Sequence, residues 1–357
     1  MGKRKTIMLL VTYGCNLRCA YCYEPKTTQK LVTFEQAQGY LHRQIFSLVK
    51  KYEDFEVQFM GGEPLMVFPL IKEISEWLWR QPFPLPLKQV FAPTNGTLLT
   101  IGMKRWLVDN KERFCLGLSF DGTRLMQNIN RSESSSMVDL SFFAQTWPNQ
   151  SVKMTLSPDT LPYLYEGVLF LYEQGFRYVT TDLAMGNNVI WKQEHLSVLA
   201  NQLNLLVDFY VNNVQIPRMS MLDMDVTLVL QKSDELKKCG CGEDLVCIDC
   251  DGQTYGCHIF SPISSPRHLA KASQEIDFSN HNLFADKSCG NCLLFPLCTS
   301  CYGMNYLLTG NVCKQDPFTC KAFKIQFLSA CNLQMQLAEL KGDVKKKKVI
   351  KKIVSEF

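Results

Sequence analysis

"TIMLLVTYGCNLRCAYCYEP" (residues 6–25) runs from an unbroken apolar stretch straight into three thiols, Cys15, Cys19 and Cys22, crowded into eight positions. A short apolar run that ends in Gly and polar residues reads as a buried strand, which places the thiols just past its C-terminal end. Similar strands recur at 55–60, 89–93, 114–120, 152–157 and 178–184. Between them lie helical patterns such as 34–51, 65–80, 161–174 and 193–211. This alternation predicts a parallel sheet with helices packed outside it, and six such units predict an open or partial barrel. In that architecture ligands gather where the strands end. "GGEP" (61–64), "TNG" (94–96) and "DG" (121–122) follow the second, third and fourth strands, so they share a rim with the thiols.

Composition narrows the function. The chain has 357 residues, 46% of them hydrophobic, enough for a real core, and a net charge of only +4. That charge gives no reason to expect a nucleic-acid partner. No stretch approaches the roughly 20 apolar residues of a membrane span. Lys3, Arg4 and Lys5 before a short apolar run imitate a signal peptide, but the run is too short and leads into the cysteines. "MGKRKT" also fits the loose myristoylation pattern, a motif that arises often by chance. A reduced, cytoplasmic protein is expected, and there the 16 cysteines must be read by spacing rather than as disulfides.

Twelve of those cysteines fall between Cys239 and Cys331, where turn residues are many and clear helices few. The expected organisation is a barrel over 1–213, a bridging region over 214–238, a cysteine-organised domain over 239–331, and a C-terminal helix with a basic tail over 332–357. The run "KKKK" (345–348) reads as a solvated helix face. Cys289, Cys292, Cys298 and Cys301 could supply one structural zinc site. Zinc does not account for three thiols with no fourth partner at the head of a barrel. An iron–sulfur cubane held by three cysteines does, because it leaves one iron open.

"CNLRCAYC" (15–22) resembles the signature of the radical S-adenosylmethionine (SAM) enzymes, and "GGEP" resembles the loop that binds the SAM amino group. The resemblance implies a partial (β/α)6 barrel in which Cys15, Cys19 and Cys22 ligate a [4Fe–4S] cluster that chelates SAM. It places Tyr21 beside the adenine, Gly61, Gly62 and Glu63 at the methionine amine, and Asn95 and Ser119 against the rest of SAM. The cysteine-rich part resembles the SPASM extension of these enzymes, which holds two further [4Fe–4S] clusters. Carried over, Cys241, Cys247, Cys257 and Cys301 hold the first and Cys289, Cys292, Cys298 and Cys320 the second. Two residues separate Cys298 from Cys301 where the family has three, and Cys239 and Cys313 compete with Cys241 and Cys320. Cys115, Cys250 and Cys331 are left over, Cys115 as a core residue.

The resemblance implies a 5′-deoxyadenosyl radical that abstracts hydrogen, a net oxidation, and a flavodoxin- or ferredoxin-type electron donor. SPASM enzymes include maturases of ribosomally made peptides, which install thioether or carbon crosslinks, and anaerobic sulfatase maturases, which make formylglycine. In the latter an Asp that serves as base follows the cysteine matching Cys257; here His258 does. The stretch 156–191 also resembles maturases of Cys-repeat peptides. A peptide maturase acting on a ribosomal precursor is therefore expected, with His258 as proton acceptor and Asp121 next in line. Sulfatase maturation and a non-enzymatic iron–sulfur or zinc scaffold are the alternatives. No leader-binding domain precedes the first strand, so leader recognition is expected of another surface or a separate protein.

Overall fold

The computed structural model describes residues 3–25, 29–48, 51–231 and 235–356; Gly2 of the myristoylation pattern lies outside them. Contacts group the chain into two units that interleave along the sequence. The first contains residues 1–119, 134–150 and 240–280; the second contains 120–133, 151–239 and 281–357.

The first unit is built on a six-stranded sheet. In chain order its strands are β1 (Arg4–Thr12), β2 (Asp54–Gly61), β3 (Leu87–Thr94), β4 (Phe114–Leu118), and two later ones, β7 (Leu245–Ile248) and β8 (Thr254–Tyr255). The spatial order is β4-β3-β2-β1-β7-β8, parallel except for β8, which returns antiparallel to β7. Alternation in the sequence sets the two faces: Phe55, Val57 and Phe59 of β2 are fully buried while Glu56, Gln58 and Met60 between them are half-buried. Helices α1 (Phe34–Phe46) and α2 (Phe68–Arg80) pack against this sheet and each other. Thr33 and Gln36 start α1 as a reciprocal cap, and Ala37, Leu41 and Ile45, four apart, form its buried stripe. The unit is completed by α3 (Ile101–Asp109), α5 (Leu140–Thr146) and α8 (Arg267–Ser273).

The second unit holds α4 (Arg124–Asn130), the parallel pair β5 (Val152–Leu156) and β6 (Val179–Leu183), α6 (Leu164–Glu173), α7 (Glu194–Asn212), α9 (Tyr302–Thr309), α10 (Pro317–Leu340) and α11 (Val344–Ser355). Its backbone is the packing of α10 on α7, with α11 turned back onto α10.

All six expected strands form, but not as one sheet. Among the described residues β5 and β6 form a two-stranded sheet of their own, and the free edge of β1 is taken by β7, whose four residues include Cys247. So short a strand carries too little periodicity to be legible beforehand. Nor is the cysteine-rich stretch poor in helix: it contains α8, α9 and much of α10. The helix expected over 332–357 is the end of α10 followed by α11, parted at Gly342, whose φ of 66° stops a helix.

Phe59 is fully buried and stacks on Phe114 with ring centroids 6.4 Å apart. Phe59→Ala is expected to cost about 3–5 kcal/mol, read as a lower denaturation midpoint, and Phe59→Leu markedly less.

Candidate active site

The three-thiol loop leaves β1 at Thr12. Tyr13, Gly14 and Leu17 are buried and pin it, while Cys15, Cys19 and Cys22 are half-buried. The Cys22 amide donates to the Cys19 carbonyl at 3.1 Å, and the Leu17 amide points at Cys15 Sγ, 3.5 Å away.

The GGEP loop is clamped onto this loop through backbone. Gly62 N–H donates to Thr12 O at 3.2 Å and Glu63 N–H to Gly14 O at 2.8 Å. A Cβ on Gly61 would stand 2.1 Å from Thr12 O, and Gly61 has a φ of 153°. A Cβ on Gly62 would stand 2.4 Å from Gly14 O and 2.9 Å from Cys15 Cβ. Both glycines are therefore required by close approach. Glu63 is 1% exposed, and its carboxylate turns to the third loop, accepting from Thr94 Oγ1 and the Asn95 amide, each at 2.8 Å, and from the Leu65 amide at 3.0 Å. In this geometry the side chain of Glu63 fixes the rim, and the loop backbone is what can meet a ligand.

Asn95 closes the clamp from the third loop. Its Nδ2 donates to Asn16 Oδ1 at 2.9 Å, Asn16 Nδ2 donates to Thr97 Oγ1 at 2.8 Å, and the Thr97 hydroxyl returns to Asn95 Oδ1 at 2.7 Å. Ser119, after β4, donates its amide to Thr94 O at 2.9 Å. Tyr21 stands half-buried between Cys19 and Cys22.

A second set of cysteines is tied to the same loop from the other edge of β1. Asp249, directly after β7, is fully buried; its Oδ1 accepts from Tyr13 Oη at 2.6 Å and its Oδ2 pairs with Lys30 Nζ at 3.0 Å. Cys250 donates its thiol to Leu10 O at 3.1 Å, and burial pushes its pKa up to about 12, so it is a packed core thiol. Burial, then the nearby Cys257 thiol, holds Cys247 well above the ordinary thiol range. Next to Cys257, His258 Nε2 lies 2.9 Å from Tyr23 Oη, the residue after Cys22. Its Nδ1 is sealed from solvent with no partner among the described residues, and desolvation lowers the imidazole pKa to about 4. Spacing had singled out His258 but neither Tyr23 nor Asp249. A second tyrosine after the CxxC pair and the acidic turn "CIDCDG" (247–252) were the available signals.

In the second unit, burial raises Cys298 to a pKa of about 11, reinforced by Cys289, Cys320 and Cys292. These four thiols thus feel one another. Cys313 instead donates to Asn311 Oδ1 at 3.2 Å. Cys301 caps α9, and its pKa rises through burial, with Cys239 adding to the rise. Cys241, Cys247 and Cys257 belong to the first unit. Cys115 and Cys331 are core thiols raised by burial to about 12 and 11. Asp121, in the second unit, is fully buried and spoken for: it pairs with Arg131 at 3.0 Å and accepts from the Thr155 amide at 2.9 Å and Asn130 Nδ2 at 3.2 Å.

None of the 16 cysteines is joined in a disulfide. Among the described residues no three Cys, His, Asp or Glu side chains are already closed around an ion position. The donor chemistry nonetheless suits iron–sulfur clusters: three half-buried thiols on one loop, and four thiols in mutual electrostatic reach.

Residues 9–130 match the sequence model of the Radical SAM superfamily. The chain is 21% identical over 347 residues to the radical SAM cyclopropyl synthase TigE of Paramaledivibacter caminithermalis, covering 90% of this chain and 72% of that protein. It is 20% identical over 320 residues to a cysteine-type anaerobic sulfatase-maturating enzyme of Clostridium perfringens, covering 80% and 85%. Among solved structures, native anSMEcpe with bound AdoMet and Cp18Cys peptide superposes with a TM-score of 0.69 at 20% identity, covering 94% of this chain and 99% of that one. Streptococcus suis SuiB bound to precursor peptide SuiA gives a TM-score of 0.57 at 14% identity, covering 88% and 76%. The match over 9–130 takes in the end of β1 and all of β2–β4, and the chain shares the fold of these solved structures.

Because an added methyl at residue 62 meets backbone rather than a movable side chain, Gly62→Ala is expected to pry the GGEP loop off the cysteine loop. Equilibrium binding of SAM to the iron-reconstituted protein should weaken at least tenfold, while Gly39→Ala, on half-buried helix surface where an added Cβ meets only the end of Arg43 at 4.0 Å, leaves it unchanged.

Proposed function

We propose that this chain is a radical SAM enzyme, a peptide-modifying oxidoreductase that forms a thioether or carbon crosslink in a ribosomally made precursor peptide, in the cytoplasm. The observation that carries the reading is the clamp of the three-thiol loop by the GGEP backbone and the Asn16–Asn95 pair, which holds three thiols and the GGEP loop on one rim. A [4Fe–4S] cluster on Cys15, Cys19 and Cys22 would supply, with SAM, a 5′-deoxyadenosyl radical able to take hydrogen from an unactivated carbon. The chain's own part is to seat SAM against residues 61–63, Asn95, Ser119 and Tyr21, and to exclude water.

Cys289, Cys292, Cys298 and Cys320 of the second unit are assigned to one further cluster, and Cys241, Cys247 and Cys257 of the first unit to another. Full thiolate ligation would reserve the former for electron transfer, which suits a net oxidation. His258 is assigned to the substrate side of the rim. Tyr23 Oη, 2.9 Å from its Nε2, is the group through which a proton leaving the substrate would reach the imidazole, working against the burial that lowers its pKa to about 4. Asp121, with its lone pairs committed to Arg131, Asn130 and Thr155, is set aside from that role. His258 also favours crosslinking over formylglycine formation, because an Asp is expected there in sulfatase maturases.

Three outcomes test this. Cys19→Ala should abolish deoxyadenosine formation under dithionite; a normal yield would end the radical SAM reading. Reconstituted protein should hold about twelve irons, and Cys15→Ala/Cys19→Ala/Cys22→Ala about eight; a plateau near four with bound zinc would remove the two further clusters. His258→Ala should keep its iron and its SAM cleavage but lose crosslinked product by roughly 10²- to 10⁴-fold. Formylglycine appearing in a sulfatase peptide, with no crosslink in a Cys-rich precursor, would move the assignment to sulfatase maturation.

A further inference from the structure

The loop that leads into β3, "QPFPLPL" (81–87), is stiffer than a plain connection needs to be. Pro82, Pro84 and Pro86 fix the backbone at every second residue. Phe83 between them meets Phe55 and Trp77 edge-on, each pair of ring centroids 5.7 Å apart, which anchors the loop to the core. Between this loop, the end of α2 and the residue before β4 lies a cavity of about 320 Å³. Leu78, Trp79, Phe83 and Leu85 give it apolar walls, and its size is that of a small-molecule site.

Its charged lining has one sign: Arg113 and Lys88, both exposed, with no acidic residue among the described ones beside them in the wall. The Arg113 guanidinium lies over the Trp79 ring, 4.2 Å from its centroid, and Trp79 is itself stacked on Trp106 with centroids 5.7 Å apart. Arg113 Nη2 donates to Asn110 Oδ1 at 3.0 Å, and the guanidinium makes no ion pair among the described residues. The acids nearby are otherwise engaged or turned away. Glu76 of α2 accepts from Trp106 Nε1 at 3.0 Å and pairs with Lys72 at 3.9 Å, while Glu112 is exposed and does not line the cavity. Lys88 lies in the field of Asp54, whose carboxylate is already bound by Arg4 at 2.5 Å. An arginine held by stacking keeps the fork of N–H donors that a carboxylate fits.

We propose that this cavity is a binding site for a small apolar carboxylate, its body between Trp79, Phe83 and Leu85 and its charge on the Arg113 fork with Lys88 beside it. The site is separate from the candidate active site. β3 starts at the cavity with Leu87 and reaches the rim at Thr94, eight residues or roughly 25 Å along the strand. The proposal therefore does not rest on the function proposed above. A free acid and the carboxyl end of an apolar peptide both have this chemistry.

Isothermal titration calorimetry on the full, iron-reconstituted chain tests it with 2-naphthoate and its uncharged counterpart, 2-naphthamide. 2-Naphthoate should bind one to one with a Kd of roughly 1 mM or tighter, as its size allows, and the amide at least tenfold more weakly. Arg113→Gln, at an exposed position that the fold does not need, should weaken 2-naphthoate at least tenfold and leave the amide within about twofold. Lys88→Gln should weaken it severalfold. Leu85→Trp fills the cavity but keeps both cations, and it should remove binding of both probes while circular dichroism shows the variant folded. Acetyl-leucyl-phenylalanine separates the two sources: binding tighter than 2-naphthoate assigns the site to a chain end, weaker binding to a free acid, and either depends on Arg113. The proposal is overturned by the absence of saturable binding in wild type, by equal affinity for acid and amide, by an unchanged 2-naphthoate Kd in Arg113→Gln, or by an unchanged Kd in folded Leu85→Trp.

Discussion

A single buried carboxylate holds the two cysteine-bearing segments of the first unit together. Asp249 has no exposure, and an unpartnered charge in such a place would be costly. It is compensated by Tyr13 at 2.6 Å, by Lys30 at 3.0 Å and by the Cys250 amide at 2.8 Å. Tyr13 stands two residues before Cys15, and Asp249 two residues after Cys247. The network therefore sets the height of the three-thiol loop relative to the turn between β7 and β8. Breaking one partner of such a buried group is more damaging than its net stabilisation suggests, because the remaining groups are left desolvated.

The same economy governs the opposite edge of β1. Glu63 is the only acid in the GGEP loop, and its carboxylate is spent on Thr94, Asn95 and Leu65. Rigidity at the rim thus comes from side chains facing inward, while the ligand-facing surface is left to backbone and thiols. A rim made this way can hold a charged, multi-dentate ligand without moving when it arrives, since its polar groups are already oriented.

His258 shows how environment redefines a residue that sequence can only nominate. A free imidazole titrates near 6.5. Here burial brings it to about 4, so at neutral pH the ring is uncharged and its Nε2 is committed to Tyr23. Asp121 was nominated from its place on the rim after the fourth strand, yet its partners tie it to Arg131 and to Thr155 near the end of β5.

The sequence by itself determined the strand–helix alternation, because apolar periodicity is a local property, and it determined the thiol loop and the GGEP loop, because their spacing is unusual in any chain. It marked Cys115 as core for the same reason: the residue lies inside an apolar strand. What it could not determine was which edges pair. That β7 would take the free side of β1, while β5 and β6 would form a sheet of their own, depends on backbone hydrogen bonds between segments more than 200 residues apart in one case, and four apolar letters carry no record of them. Asp249, Lys30 and Tyr13 are likewise ordinary in sequence. They acquire meaning only in the tertiary structure, where removal from water forces a carboxylate, a phenol and an ammonium to find one another.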